Sequence, residues 1–368
     1  MLKIYCRILI STWKTFGFGV IFLRWLLLAP LFVFFTNFTL FLDNIFFPQY
    51  RKVEIKNPVF IIGHPRSGTT FLHRLLTQTN DFAVFQLWHI LLPSLTARFL
   101  LKPIVSYLSK TSFATLYPDE VGHKLTLNTE EEEEVLFLHK LDTQFVLLLT
   151  PLAFDDLEHP ELRFHDQQSE ARRQSSVKFF RGCLQRQIFY TGKKQIIAKP
   201  NYSIQRIKTL MEEFPDAKFV YLVRSPYQTI PSHLSLHRSM LDHHWGLKNI
   251  PLYKLKQYFE RRYQYNIELY QYFCKLQKNK EIPEERLMVI RYDLLRSNLA
   301  EVFQKIIAFT EIQPSDKLRT IVEKQDKTQH NYQRKHKVME LEDFGLTQAR
   351  IAEDLSFIFQ EYDFGKTK

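Results

Sequence analysis

A chain of 368 residues, 45% hydrophobic and 15% aromatic, can bury one large core or two modest ones, which excludes an extended disordered polymer. Its net charge of +11 calls for an anionic partner: nucleic acid, an acidic membrane surface or a phosphorylated small molecule. Three cysteines, Cys6, Cys183 and Cys274, lie far apart without CxxC or metal-ligand spacing, which argues against a disulfide framework or a zinc site and for a reducing compartment.

Residues 1–50 read as a hydrophobic anchoring or interfacial segment. Trp25–Leu42 carries no charge and is dominated by Leu and Phe, after a weaker apolar stretch interrupted by Lys14 and Arg24. Crossing ~30 Å of hydrocarbon takes about 20 apolar residues. This run only just reaches that length, with Pro30 and Asn37 inside it. A spanning helix and a monotopic or hairpin anchor are both open, with a buried core helix as the bland alternative. The apolar region is too long for a signal peptide, and no small-residue cleavage site precedes Asp43.

Residues 51–368 read as one soluble domain. Basic Arg51, Lys52 and Lys56 lead into Val59–Ile62, an apolar run expected to be a buried parallel strand. Gly63-x-x-x-x-Gly68-Thr69-Thr70 follows, ahead of the apolar helical stretch Phe71–Leu76. This is the frame of a phosphate-binding loop, in which N–H groups at a helix start enclose a phosphate or sulfate. Where a nucleotide triphosphatase has lysine after the second glycine, this chain has Thr69, and the cation sits within the loop as Arg66.

Farther along, Glu130–Glu134 is a run of five acids, and Thr129 followed by Glu132 spells a capping box that predicts a helix start. Gln195–Ala198, Lys218–Val223 and Leu287–Ile290 read as further strands. They alternate with the helical stretches Ile204–Phe214 and Val302–Phe309, which predicts an α/β fold with a parallel sheet. Lys218–Val223 ends at Arg224, where ATP- or GTP-hydrolysing proteins place a magnesium-holding Asp. A fixed cation there makes a second anion site, to which Ser232, eight residues on, adds a hydroxyl donor. Two separated anion sites suit a nucleotide phosphorylated at its 5′ and 3′ positions. The tyrosines from Tyr263 to Tyr272 have helical spacing suited to packing.

These residues resemble the sulfotransferases that use 3′-phosphoadenosine-5′-phosphosulfate (PAPS), most of all a largely bacterial branch with hydrophobic N-termini. Pro65-Arg-Ser-Gly-Thr-Thr70 looks like their 5′-phosphosulfate loop and Arg224-x7-Ser232 like their 3′-phosphate motif. Phe214–Arg224, Ile290–Asp293 and Leu341–Leu346 extend the resemblance from about Asn57 to Tyr362. It implies a P-loop-like three-layer fold, a central parallel sheet flanked by helices, over a sulfotransferase domain of residues 51–368. It also implies PAPS as donor, no metal, no nucleic-acid partner, and in-line transfer to a hydroxyl or amine; the loop and second anion site, taken with the apolar N-terminus, point to a lipophilic acceptor.

By the same resemblance, Arg66, Ser67, Gly68, Thr69, Thr70, Arg224 and Ser232 hold the donor, joined by Arg334 and Lys335 of a late basic cluster. Lys199 matches a strand-end lysine beside the sulfate. The histidine that relatives often carry shortly afterwards is missing from Lys199-Pro-Asn-Tyr-Ser203. His89 stands where relatives often have an acid and is the preferred general base, since an imidazole of ordinary pKa, about 6.5, accepts a proton near neutrality. His123 and Glu132 are the other candidates. A cytosolic domain on a bacterial inner membrane is the expected setting, with a type II Golgi arrangement second. The competing readings of the loop are a nucleotide kinase or triphosphatase, and a membrane-tethered nucleotide binder without catalysis.

Overall fold

The structure, a computed structural model, describes residues 1–118, 121, 124–329 and 338–364. In chain order the elements used below are α1 (Leu2–Phe16), α2 (Val20–Phe46), β1 (Val59–Gly63), α3 (Thr69–Thr77), α4 (Leu95–Leu108), β2 (Thr115–Tyr117) and β3 (Leu125–Thr126). There follow α5 (Glu170–Thr191), β4 (Ile197–Ala198), α6 (Ile207–Glu213), β5 (Lys218–Val223), α7 (Pro226–Trp245), α8 (Leu252–Lys278), β6 (Leu287–Arg291) and α9 (Leu299–Thr310). The chain divides into two units. Met1–Pro58, Phe82–Pro200 and Arg206–Ala217 make the first; Val59–Asp81, Asn201–Gln205 and Lys218–Lys368 make the second.

In the first unit, α1 turns Ile4 and Ile8, one helical turn apart, into a cluster with Val146, Leu152 and Leu162. Gly17 ends it at φ 71°, a conformation that suits glycine. α2 is continuous through a π-helical turn at Arg24–Leu28, which ends two residues before Pro30. Proline has no N–H for the preceding turn, and the wider turn absorbs that loss. Near the end of α2, Asp43 is fully buried. Its carboxylate accepts hydrogen bonds from Ser94 Oγ (2.8 Å), the N–H groups of Leu95 (3.1 Å) and Thr96 (2.8 Å), and Arg186 Nε of α5 (2.7 Å). One carboxylate thus caps α4 and neutralises a buried arginine.

A second hub in this unit is Asp142, which takes Arg206 (2.9 Å), Arg172 (2.9 Å) and Ser176 (2.5 Å). Burial raises its pKa, but Arg206, His165 and Arg172 outweigh that and hold the carboxyl far below the usual range.

The acidic run departs from its expected form. Thr129 bonds back to Thr126 (2.8 Å) and caps no helix, and Glu130 forms an antiparallel bridge with Gln86. Helical structure begins only at Glu133, as a 3-10 helix to Lys140. Glu131, Glu133 and Glu134 are buried rather than set in a solvated first turn. The local cap signal is overridden by bridging to the segment before residue 87 and by basic partners within the unit.

The second unit is built on a parallel sheet, β1–β5–β6, with Gly63 opposite Leu222 and Val223 opposite Arg291. Every residue of β1 is buried, as expected of a strand covered on both faces. Helices flank this sheet: Phe273 of α8 stacks on Tyr221 at 3.5 Å, and α9 packs on β5 and β6. Tyr263, Tyr265 and Tyr270 are buried in α8, the packing role that their spacing indicates. The expected strands recur at β1, β5 and β6 almost residue for residue. Gln195–Ala198 contributes only the two-residue β4, beside a parallel bridge from Ile196 to Ala83.

Asp43→Ala should lower unfolding stability by about 3–5 kcal/mol, because it strands a buried guanidinium and three donors. Denaturant titration in mild detergent checks this. Wild-type stability would show that the hub is not structural.

Candidate active site

The loop after β1 is shaped by two glycines. A Cβ on Gly63 would lie 2.6 Å from the Leu222 carbonyl oxygen and 2.8 Å from Ser67 Oγ. Gly68 has φ +101°, and a Cβ there would strike the Tyr292 ring at 2.6 Å. Neither position accepts another residue without rearrangement. Helix α3 starts at Thr69 with no side chain capping its N-terminus. Ser67 is fully buried, and its Oγ has no hydrogen-bond partner. An uncapped helix start beside an orphaned buried hydroxyl fits a bound anion.

The cations and the distant serine meet at this loop. Arg66, with φ 71°, donates from Nε to Ser232 Oγ (3.0 Å), and its carbonyl accepts from Arg224 (3.1 Å). Arg224 follows β5, lies over the Tyr292 ring (4.2 Å) and donates to Gln228 (2.8 Å). Ser232 sits in α7, whose first helical residue is Pro226, a favourable position for proline. Residues of the two motifs are therefore hydrogen-bonded to one another, Ser232 to the Arg66 side chain and Arg224 to the Arg66 carbonyl.

Beside this cluster, the second unit holds a group of histidines that sequence reasoning missed. His64 stacks on Tyr270 at 4.1 Å, and Tyr270 in turn donates to the Arg224 carbonyl (3.2 Å). His233, next to Ser232, bonds Asn266 Oδ1 through Nδ1 (2.8 Å), so Nε2 is left to accept from Tyr202 (3.0 Å). His237 lies one turn on, with Tyr258 at 2.6 Å. Burial pushes His64 down to about 3 and both other imidazoles well below their ordinary value. The legible signal was His233 and His237 at i and i+4, facing a tyrosine-rich helix.

The remaining expected residues belong to the first unit. Lys199, just past β4, is buried. Its N–H donates to Glu133 Oε2 (2.6 Å), and its ammonium lies 3.3 Å from Glu132 Oε1. Burial pushes Glu133 up to about 8. Sequence reasoning named Glu132 and missed Glu133.

His89 differs from its expected state. It is buried, and its Nδ1 accepts the Gln86 N–H (3.2 Å) in a capping box, with Gln187 Nε2 at 3.3 Å. Burial, reinforced by the nearby Arg98 charge, depresses its pKa well below 6.5. The premise of an ordinary imidazole is thereby corrected: this ring is a helix cap. His123, Arg334 and Lys335 lie outside the described residues.

A sequence profile described as the sulfotransferase family matches residues 58–316, most of the chain. The chain belongs to the sulfotransferase family. Among curated sulfotransferases it is 29% identical over 247 residues to omega-hydroxy-beta-dihydromenaquinone-9 sulfotransferase Stf3 of Mycobacterium bovis, and equally to that of Mycobacterium tuberculosis. Each match covers 64% of this chain and 58% of the relative's length. In solved structures the fold is shared with sulfotransferase STF1 from Mycobacterium tuberculosis. That match has a TM-score of 0.70 and 18% identity, covering 96% of this chain and 92% of the other. It is shared also with STF9 from Mycobacterium avium, with a TM-score of 0.64 and 14% identity, covering 88% and 81%.

The neutral histidines of this sulfotransferase fold make stability pH-dependent. The unfolded chain protonates below about 6.5, while His64, His233 and His237 stay neutral, so stability is lost as pH falls through that value. His64, pushed down to about 3, alone contributes ~2 kcal/mol of loss at pH 5, and His233 and His237 add losses of the same sign. Melting temperature should therefore fall between pH 7 and pH 5, with a shallower slope in His237→Gln. Identical slopes for the two proteins would contradict this.

Proposed function

We propose that the chain is a PAPS-dependent sulfotransferase acting on the hydroxyl of a lipophilic acceptor at a membrane. The observation that carries this reading is the joining of Arg66, Arg224 and Ser232 beside the uncapped loop, in a chain that belongs to the sulfotransferase family. The printed name of the relative Stf3, a sulfotransferase of a menaquinone derivative, supports the acceptor class. Helix α2, 27 residues long with only 11% of its most apolar window buried, supports membrane association. A bacterial inner membrane with the catalytic units in the cytosol is the setting we propose.

When bound, PAPS supplies a sulfuryl group activated as a phosphosulfate anhydride. The α3 N-terminus, with Ser67, Gly68, Thr69 and Thr70, holds the anionic end of the nucleotide, and Arg66 balances charge that develops there. Arg224 and Ser232 bind the second phosphate as charge-assisted and hydroxyl donors. Lys199, which matches the strand-end lysine of the resemblance, is the further cation we propose for the transfer.

For the base we propose Glu132. Its carboxylate is partly accessible and lies beside the Lys199 ammonium, whereas His89 is sealed, committed to its cap and depressed in basicity. The kinase reading lacks support in Thr69 and Arg224, which replace the lysine and the metal-holding acid that such chemistry uses.

The test uses purified full-length protein, sulfate-labelled PAPS and an ω-hydroxylated isoprenoid quinone. Label should pass to the lipid. Arg66→Ala and Ser232→Ala should each weaken adenosine 3′,5′-bisphosphate binding about 10- to 100-fold. Glu132→Gln should bind the bisphosphate normally and lose roughly 10²- to 10⁴-fold in kcat. Absence of saturable bisphosphate binding by the wild type would sink the proposal. Normal turnover in Glu132→Gln would sink the base assignment alone.

A further inference from the structure

We propose that α2 lies in the plane of the membrane interface and does not cross the bilayer, and that α4 completes the same lipid-facing surface. The proposal rests on the membrane association put forward above and adds its geometry. At about 1.5 Å per residue, α2 is ~40 Å long and could reach across the hydrocarbon. Its two ends, however, are tied to the same unit. On the amino-terminal side, α1 buries Ile4 and Ile8 in that unit, pairs Arg7 with Glu161 (2.9 Å) and donates from Ser11 to the Pro151 carbonyl (2.7 Å). Tyr5 of α1 also donates to the Trp25 carbonyl of α2 (2.8 Å). On the carboxyl-terminal side, Asp43 is locked to Ser94, Leu95, Thr96 and Arg186. A crossing would place α1 and the rest of the unit on opposite sides of the bilayer and break the contacts of α1 with Val146, Pro151, Leu152, Glu161 and Leu162.

The exposed side chains have the pattern of a surface embedded on one side. Thr36, Thr39 and Asp43 form the inward stripe of α2, where it packs along α4. Its outward stripe is Leu27, Leu31, Phe34, Phe38, Phe41 and Ile45, spaced by threes and fours and all exposed. Helix α4 continues the surface with Phe99, Leu100, Ile104 and Tyr107, of which Phe99 and Tyr107 are 72% and 71% exposed. Phe47 and Phe99 touch at the junction, with ring centroids 6.1 Å apart. In α1, Leu2, Ile10 and Trp13 are exposed on the side away from Ile4 and Ile8. An apolar surface shared by three helices exceeds what soluble monomers ordinarily expose.

Charge names the occupant. Residues 1–42 and 94–118 contain no Asp or Glu, and Lys14, Arg24, Lys102 and Lys110 are exposed around the apolar stripes. A basic rim on an apolar face suits a bilayer with anionic headgroups.

The experiment uses the full chain in a Cys6→Ser background, bound to sealed vesicles of phosphatidylcholine and phosphatidylglycerol. Each of Tyr107→Cys, Lys14→Cys and Glu285→Cys is exposed to a membrane-impermeant maleimide. We expect vesicles to slow labelling at Tyr107→Cys at least tenfold while Glu285→Cys is unchanged. Lys14→Cys should label from outside, alongside Glu285→Cys. Labelling of Lys14→Cys only after permeabilisation would overturn the in-plane placement. Undiminished labelling of Tyr107→Cys on vesicles would overturn the role of α4. Protection of Tyr107→Cys that needs no vesicles and grows with protein concentration would show that a second copy covers the surface, and would also overturn it. Failure of the wild type to float with vesicles would remove the membrane reading itself.

Discussion

Arg66 holds a backbone conformation that ordinarily costs an L-residue about 1–2 kcal/mol, and the contacts it makes compensate for that cost. Its carbonyl accepts from Arg224 and its guanidinium donates to Ser232, so one residue fastens the loop after β1 to the end of β5 and to α7. Gly63 and Gly68 are fixed by the same constraint, since the loop runs against Leu222 on one side and Tyr292 on the other. The buried histidines and tyrosines of α7 and α8 surround this junction with neutral hydrogen-bonding groups. On the function proposed above, a donor site built this way is held in place before the nucleotide arrives, as electrostatic stabilisation of a transferred group requires.

Much of this was legible because it depends on local sequence. Strands β1, β5 and β6 are apolar runs with few alternatives, and the glycine loop sits where a strand must become a helix. What escaped depends on residues far apart in the chain. Nothing near Arg66 announces that its side chain will reach Ser232, 166 positions away. The run Glu130–Glu134 looks like a solvated helix start until Lys199 and Gln86 are brought to it. His89 reads as a titratable base until Gln86, Gln187 and Arg98 enclose it, and burial then decides its protonation state. Short β4 shows the same limit, for an apolar run of four became a strand of two.

The first unit carries two features that its composition alone kept ambiguous. Its apolar amino-terminal helices are held by a few buried polar hubs, above all Asp43, while their outward faces stay apolar. The same unit carries the Lys199–Glu132 pair. On the function proposed above, an acceptor that partitions into lipid would meet the proposed base in the same folded unit that carries the apolar helices.

The central claim is that the two anion-binding motifs act as one connected donor site. A double-mutant cycle on adenosine 3′,5′-bisphosphate affinity, with Arg66→Ala, Ser232→Ala and the combined variant measured by calorimetry, tests it directly. A coupling energy above about 1 kcal/mol is predicted, because either single change already breaks the shared contact. Additive losses within about 0.3–0.5 kcal/mol would show that the motifs work independently and would contradict the account.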